Sequence, residues 1–180
     1  MPPHAQLICF LNLELDILSN NMPKTTLDRI DRRILEQLQA DGRLSNQVLA
    51  ERVALSPSPC LRRVRALEKA GVIRGYAALL DPLRVGLGLL AYVSVKLEKR
   101  GKMPVDQFTR AVQSWPEVIA SYAMTGDMDY LMRVQVEDLE HYSRFIMEKL
   151  LKQPGVIDIR SNFVLERINE TTALPLEQLA

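Results

Sequence analysis

Sulfur and imidazole side chains are scarce in this chain of 180 residues, which has two cysteines, Cys9 and Cys60, and two histidines, His4 and His141. Two cysteines cannot form a disulfide framework, and none of these four side chains has the neighbours of a zinc site. Hydrophobic runs are short: the richest, Leu87–Val95, is about half of the ~18 residues that a membrane-spanning helix needs. These absences predict a cytoplasmic protein without structural zinc.

Catalytic constellations are also missing from the sequence. We find no nucleophile with a nearby base, no metal-ligand cluster and no phosphate-binding glycine loop. His141 stands among Glu137, Asp138 and Glu140, where we interpret it as a solvated helix residue. Cys60 falls on an apolar helix arc and is interpreted as packing. We therefore predict a protein that is not an enzyme and has no cofactor and no metal.

Basic charge is concentrated in one part of the chain, although the net charge of the whole is only +1. Residues 24–80 carry a net charge of +5, whereas residues 81–180 carry −2 and residues 1–23 carry −2. A basic unit joined to a mildly acidic one indicates that only the first meets a polyanion.

Residues 1–23 have the composition of an N-terminal extension that differs from the rest of the chain. The segment has no basic residue ahead of its apolar run and no small-residue cleavage site, so a signal peptide is not predicted. Met22 begins a polar segment that leads directly into the first capped helix. Our hypothesis is that Met22 is the natural start and that the preceding residues are a mobile arm or an upstream translation.

Residues 24–86 have the pattern of three short helices followed by a strand. Asp28 is a good N-cap for the first helix, which stops at Asp41-Gly42, and Ser45 caps the second. The third helix begins at Ser56 or Ser58, each followed by proline. A tight turn between the second and third helices predicts a helix-turn-helix, and the strand VIRGYAALL after Gly71 predicts a wing.

The third helix has one apolar and one basic arc when residues 58–69 are wound at ~100° per residue. Its apolar arc docks on the other helices, so the basic arc is free to face the bases and phosphates of duplex DNA. A solvated helix face is the alternative interpretation. The predicted DNA-binding residues are Ser56, Ser58, Arg62, Arg63, Arg65 and Lys69.

Residues 87–170 repeat one strand–helix–strand pattern. The motif Pro-x-Val-Ile occurs twice, each time before a predicted strand; the two copies begin at Pro116 and Pro154 and lie 38 residues apart. Two equal units joined by a hairpin predict a ferredoxin-like βαββαβ domain with helices on one face of the sheet, and hence an α+β protein. Residues 171–180 are predicted to be a C-terminal tail. The other face of the sheet is not charged, so we predict a homodimer through the sheets.

The hairpin loop TGDMDY is the most unusual polar feature of this second domain. A carboxylate can bind an α-ammonium group, a glycine N–H can meet an α-carboxylate, and Met can hold an aliphatic group. A plain polar hairpin turn is the alternative. The candidate site for a free amino acid comprises Thr125, Gly126, Asp127, Met128, Asp129 and Tyr130.

Several of these segments resemble one known family, the Lrp/AsnC (feast/famine) transcriptional regulators, and in particular its leucine-responsive branch. The resemblance runs from about Leu27 to Glu166 and is carried by LDRIDRRILEQLQADGRLSN, LSPSPCLRRVRALEKAGVIRGYAALLDP and TGDMDYLMRVQV. SPSPC in place of the commoner S-P-T-P-C is a mild departure.

The resemblance implies a winged helix-turn-helix, a hinge strand near Tyr76–Leu80 and a ligand-sensing αβ domain. It further implies dimers that assemble into octamers or larger discs, with double-stranded DNA as partner and a nucleoid-associated location. An amino-acid effector, leucine or methionine first, would bind near Gly126, Asp127 and Asp129, with response positions around Phe163–Leu165. The resulting prediction is a sequence-specific transcriptional regulator. An architectural chromosome-associated protein with little effector control is the alternative.

Overall fold

The computed structural model describes residues 26–98 and 103–179, so the predicted extension at residues 1–23 lies outside the described residues. These residues form two compact units, which we describe separately. The first contains residues 26–77 together with 171–179, and the second contains residues 78–170. Within the described ranges no helix is both long and apolar enough to span a bilayer.

Three helices make up the body of the first unit: α1 (Arg29–Ala40), α2 (Asn46–Arg52) and α3 (Pro57–Lys69). Asp28 caps α1 in a capping box, in which its carboxylate accepts from the Asp31 amide and the Asp31 carboxylate accepts from the Asp28 amide. The Ser45 hydroxyl accepts from the Val48 amide at the start of α2. These caps confirm the two predicted helix starts.

The turn between α2 and α3 is as tight as predicted, and it places Ala54 in the left-handed region with φ 58°. Asn46 donates a 2.9 Å hydrogen bond to the Pro57 carbonyl, which ties the start of α2 to the start of α3. Arg33 donates a 3.0 Å bond from α1 to the Arg52 carbonyl. The helices enclose one apolar cluster, whose buried members are Ile34, Leu35, Leu49, Ala50, Val53, Cys60 and Leu67.

The predicted strand after Gly71 is not formed. Residues 72–80 have no ladder partner among the described residues and run as irregular chain, so neither the strand predicted after Gly71 nor the hinge strand near Tyr76–Leu80 is formed within this single chain. A strand needs a neighbour for its backbone N–H and C=O groups. The apolar side chains Leu79 and Leu80 here stay largely exposed.

The second unit is the predicted βαββαβ arrangement. Its sheet has the antiparallel order β2-β3-β1-β4, which is the ferredoxin-like order. A short 3₁₀ turn, Leu83–Val85, precedes it. The elements are β1 (Leu89–Leu97), α4 (Met103–Ser114), β2 (Val118–Ala123), β3 (Tyr130–Val136), α5 (Leu139–Arg144) and β4 (Val156–Phe163).

Alternate strand residues pack beneath the helices of this unit. Val93 and Val95 of β1 are fully buried, as are Met132 and Val134 of β3. Phe108 of α4 packs against the same cluster. The predicted helix 139–151 differs in detail, because after Arg144 it continues as a π-helical turn over Phe145–Leu150. Its wider winding keeps Phe145 and Leu150 buried.

Candidate functional site

The outer face of α3 carries three cations that have no partner within the described residues. Arg62, Arg65 and Lys69 are exposed, and none of them makes an ion pair or side-chain hydrogen bond there. Ser56 and Ser58 are exposed at the start of the same helix. Ser56 is the N-cap residue by backbone geometry, but its side chain makes no capping hydrogen bond. Both hydroxyls and all three cations are therefore open to a ligand.

Arg63, the sixth predicted DNA-binding residue, is placed differently. Its Nη1 donates to Asp28 Oδ2 and to Asp31 Oδ1, at 2.8 Å each. Its side chain is 32% exposed, and that of Asp31 only 14%. Arg63 thus points from α3 to the first turn of α1, where the helix dipole also favours the two carboxylates.

The acidic partners of Arg63 were not identified as functional by the sequence reasoning, which treated them only as helix caps. The hydrogen bond from the Asp31 amide, and after it the hydrogen bond and charge of Arg63, hold the pKa of the Asp28 carboxyl below its usual value against the opposing effect of burial. A sequence signal was available, because two aspartates three residues apart at a helix start present both carboxylates at one end of α1.

The C-terminal end of α3 is fixed by backbone hydrogen bonds. Gly71 has a φ of 72°, the Val72 amide donates to the Leu67 carbonyl at 3.0 Å, and the Gly71 amide donates to the Glu68 carbonyl at 3.0 Å. This arrangement is a Schellman closure. Beyond this closure Arg74 is also exposed and has no partner within the described residues. The sequence reasoning did not include Arg74 among the candidate DNA-binding residues, because it treated this segment only as a strand.

The candidate amino-acid loop lies between β2 and β3. Thr125, Gly126 and Asp127 are exposed, and Gly126 has a φ of 115°, which a residue with a side chain rarely adopts. Met128 is half-buried. Tyr130 packs its ring 4.8 Å from that of Phe108.

The two carboxylates of this loop do different things. Asp129 Oδ2 accepts a 2.8 Å hydrogen bond from the Leu97 amide, and the Asp129 amide donates to the Val95 carbonyl at 3.0 Å. Asp129 therefore caps the end of β1. Asp127 has no partner among the described residues. Of the two, Asp127 is the carboxylate that is free to bind an ammonium group.

A charge cluster around the buried Glu117 lies apart from this loop in the second unit. Glu117 Oε1 accepts from Lys149 at 2.6 Å and lies 3.6 Å from His141 Nε2. Burial raises the pKa of the Glu117 carboxyl, but the Lys149 ammonium and further hydrogen bonds outweigh it and hold the pKa below its usual value. His141 is not the freely solvated residue that the sequence suggested, because its side chain is only 27% exposed, its Nε2 lies against Glu117 and its Nδ1 is shielded from solvent.

Two further kinds of reactive group remain in the described part of the chain: side chains able to ligate a metal, and the thiol of Cys60. No group of three or more histidine, cysteine or carboxylate side chains there is arranged to hold a metal ion. Cys60 is fully buried in the helical core, and that burial raises the pKa of its thiol.

Two known families match the two units of this chain. Residues 27–74 match a family described as winged helix-turn-helix DNA-binding, and residues 90–174 match one described as Lrp/AsnC ligand binding domain. The leucine-responsive regulatory proteins of Escherichia coli K12 and Salmonella typhimurium LT2 are each 43% identical over 159 residues. That match covers 88% of this chain and 97% of each relative.

Solved structures agree with these matches. A transcriptional regulator from Neisseria meningitidis in complex with L-methionine has a TM-score of 0.84 at 49% identity and covers 86% of this chain and 100% of its own. An AsnC family transcriptional regulator from Agrobacterium tumefaciens has a TM-score of 0.81 at 40% identity, with coverage of 86% and 100%. With a helix-turn-helix unit, a ferredoxin-like unit and relatives that span both, the chain belongs to the Lrp/AsnC family of DNA-binding transcriptional regulators.

Proposed function

We propose that this protein is a sequence-specific regulator whose DNA affinity responds to an apolar amino acid, leucine or methionine. The observation that carries the proposal is the row of exposed cations on α3 that have no partner in the described ranges, on a helix otherwise held in place by its neighbours. The free carboxylate of Asp127 in the loop between β2 and β3 supports the ligand-responsive part. We expect the protein to act in the cytoplasm on chromosomal DNA.

In this proposal α3 enters the major groove. Arg62 and Arg65 contact guanine edges or phosphates, and Lys69 contacts phosphate. Each good bidentate arginine–guanine contact adds about 1–3 kcal/mol of discrimination. Ser56 and Ser58 donate their hydroxyls to phosphate at the start of the helix. Arg63, which is paired with α1, acts on DNA binding through the position of α3.

The effector proposal rests on the loop and on one relative. Asp127 would pair with the α-ammonium group, and the Gly126 N–H would meet the α-carboxylate. Thr125 and Met128 would border the side chain, with Asp129 and Tyr130 holding the loop in shape. The regulator from Neisseria meningitidis that was solved with L-methionine supports methionine as a ligand. Differential affinity for two assemblies would then alter DNA binding.

A homodimer through the open faces of the sheets is part of the same proposal, with dimers assembling into octamers or larger discs. Tyr92 of β1 and Tyr122 of β2 lie on the face opposite the buried residues, and they are 37% and 56% exposed. Exposed aromatic side chains on one face favour association. A two-fold pair would present two copies of α3 to successive turns of DNA.

The decisive experiment measures DNA affinity by fluorescence anisotropy on a duplex selected by the protein from a random pool. Arg62→Ala with Arg65→Ala should weaken binding to the selected duplex at least about tenfold and, if both contact phosphate, lower the log–log salt slope by about two units. The matched control is Arg110→Ala, which removes from α4 an exposed arginine that has no partner among the described residues. Equal affinity of the double variant and the control would refute the assignment of α3.

Effector control is tested separately by calorimetry against the twenty amino acids, with and without DNA. Leucine or methionine should bind and change the DNA affinity of the intact chain, and Asp127→Asn should weaken that binding at least about tenfold, the loss of a charged hydrogen bond. DNA binding that no amino acid alters would instead favour the architectural alternative.

A further inference from the structure

Residues 171–179 belong to the first compact unit although they follow the second along the chain. Leu176 and Leu179 are half-buried and pack against the apolar cluster of α1, α2 and α3. The chain therefore passes between its two units at two points, once near residue 77 and again near residue 170.

The contact with α1 is specific as well as apolar. Gln39 uses both ends of its side-chain amide on one residue: its Nε2 donates to the Leu174 carbonyl at 3.1 Å, and its Oε1 accepts from the Leu174 amide at 2.7 Å. A side-chain amide that satisfies both backbone groups of a residue replaces the strand neighbour that the residue lacks. Pro175 favours the extended backbone at Leu174 that exposes both groups.

A second polar contact lies two helical turns earlier on α1. Arg32 donates from Nη1 to the Leu179 carbonyl at 3.3 Å, and its Nε also donates to Glu36 at 2.7 Å. Arg32 and Gln39 are seven residues apart, so they lie on the same side of α1. The Leu179 amide donates to the Leu176 carbonyl at 3.0 Å, which closes a turn and brings the two leucines to the same core.

We propose that the outer side of α1, between Arg32 and Gln39, is a docking surface for residues 174–179 of the same chain, and that this segment is a working part of the DNA-binding unit. The docked segment covers the apolar cluster that α1 shares with α3. Because α1 also holds Arg63 of α3, the segment supports the DNA-binding helix from behind. This docking is independent of which amino acid the protein senses.

Hydrogen exchange on the full chain tests the docking at one amide. The Leu174 N–H should exchange about tenfold more slowly in the parent than in Gln39→Ala, since its acceptor is lost. The matched control is Gln47→Ala, which makes the same replacement at an exposed position of α2 that has no partner in the described part of the chain. Equal exchange at Leu174 in the parent and in Gln39→Ala would overturn the proposal.

Stability of the DNA-binding unit gives a second readout. Removal of residues 171–180, or the milder pair Leu176→Ala and Leu179→Ala, should lower the thermal midpoint of the first unit by about 4 °C or more. Far-UV circular dichroism at low temperature checks that both variants are folded. An unchanged midpoint in both would also overturn the proposal.

A mixing experiment distinguishes the chain's own segment from that of a second copy. The Gln39→Ala chain keeps the segment but lacks its anchor, and the chain without residues 171–180 keeps the anchor but lacks the segment. The two are mixed after reversible unfolding and refolded together. Docking within one chain predicts that Leu174 stays unprotected in the mixture, whereas restored protection would show exchange between copies and contradict the proposal.

Discussion

Two carboxylates at the start of α1, those of the N-cap Asp28 and of Asp31 in the first turn, share a single guanidinium nitrogen of Arg63. The Asp31 side chain is largely shielded from water, so this contact is less screened than an ordinary surface pair. At the scale of single residues, the same type of side chain therefore has two roles on α3. Arg62 and Arg65 are free for a ligand, whereas Arg63 fixes the helix that carries them.

Arg63→Met should destabilise the first unit by about 1–2 kcal/mol, because the charged hydrogen bonds to both aspartates are lost while the aliphatic stem is kept. Urea unfolding followed by circular dichroism measures the change. Arg62→Met, one position earlier and exposed, should change stability by less than about 0.5 kcal/mol. The assignment of Arg63 as a positioning residue is wrong if the two variants unfold at the same urea concentration.

The loop carboxylates provide a second contrast between neighbouring residues. Asp129→Ala should cost about 1–2 kcal/mol of unfolding free energy, because the amide of the buried Leu97 loses its acceptor. Asp127→Ala should leave stability within about 0.5 kcal/mol, since the exposed carboxylate has no partner in the described chain. Thermal unfolding of both variants measures the difference, and an inverted order would contradict the roles given to these residues.

At the scale of elements, the two ends of α3 are stabilised by different kinds of hydrogen bond. Its start is held from outside by Asn46, which reaches the Pro57 carbonyl from α2. Its end is closed by its own backbone at Gly71. The basic face between these ends does not take part in either closure, so it can vary in sequence without loss of the helix.

Gly71→Ala tests how much the backbone closure at the C-terminal end of α3 contributes to stability. A Cβ at this position meets no atom within 4 Å, so the cost is that of a left-handed backbone alone, about 1–2 kcal/mol. Gly71→Asn should cost less, because asparagine tolerates this conformation. Chemical denaturation of the three proteins gives the order. Equal stability of the alanine variant and the parent would show that the end of α3 relaxes.

At the scale of the whole molecule, each unit contains a carboxyl whose pKa lies below its usual value: Asp28 in the first and Glu117 in the second. A carboxyl with a depressed pKa in the folded state contributes stability above its unfolded pKa and loses it as the pH falls through the folded value. Both units should therefore lose stability in acid and not in mild base.

The unfolding midpoint should accordingly fall as the pH is lowered from about 5 to about 3. Glu117→Gln should make this fall shallower in the second unit, and at pH 7 it should cost about 1–3 kcal/mol because Lys149 loses a charged acceptor. Urea titrations at a series of pH values measure both effects. A pH profile that is the same in Glu117→Gln and the parent would exclude this cluster as a source of acid sensitivity.

Association through the sheets is the remaining prediction at this scale. Tyr92→Arg with Tyr122→Asp should reduce the mass measured by light scattering to that of the monomer at micromolar concentration, because charged side chains replace the two exposed tyrosine rings on this face of the sheet. The control is Tyr92→Phe, which keeps the ring. An unchanged mass in the charged variant would place the dimer contact elsewhere.

Local signals were sufficient for most of the elements. Asp28, Ser45 and Gly71 are caps whose chemistry acts within a few residues, so helix starts and ends could be predicted from the sequence. The repeated strand–helix–strand pattern predicted the sheet order. The strand predicted after Gly71 could not be settled in the same way, because a strand forms only when another strand pairs with it, and residues 72–80 have no such neighbour among the described residues.

The sequence by itself determined the basic face of α3 and the alternation of buried and exposed strand residues, because both follow from helix and strand periodicity. Only the tertiary structure decided that Arg63 turns to α1, that Asp129 caps β1 while Asp127 stays free, and that residues 174–179 return to the first unit. Each of these depends on contacts between residues far apart in the chain. Such contacts leave no periodic trace, since their geometry exists only after the units have folded.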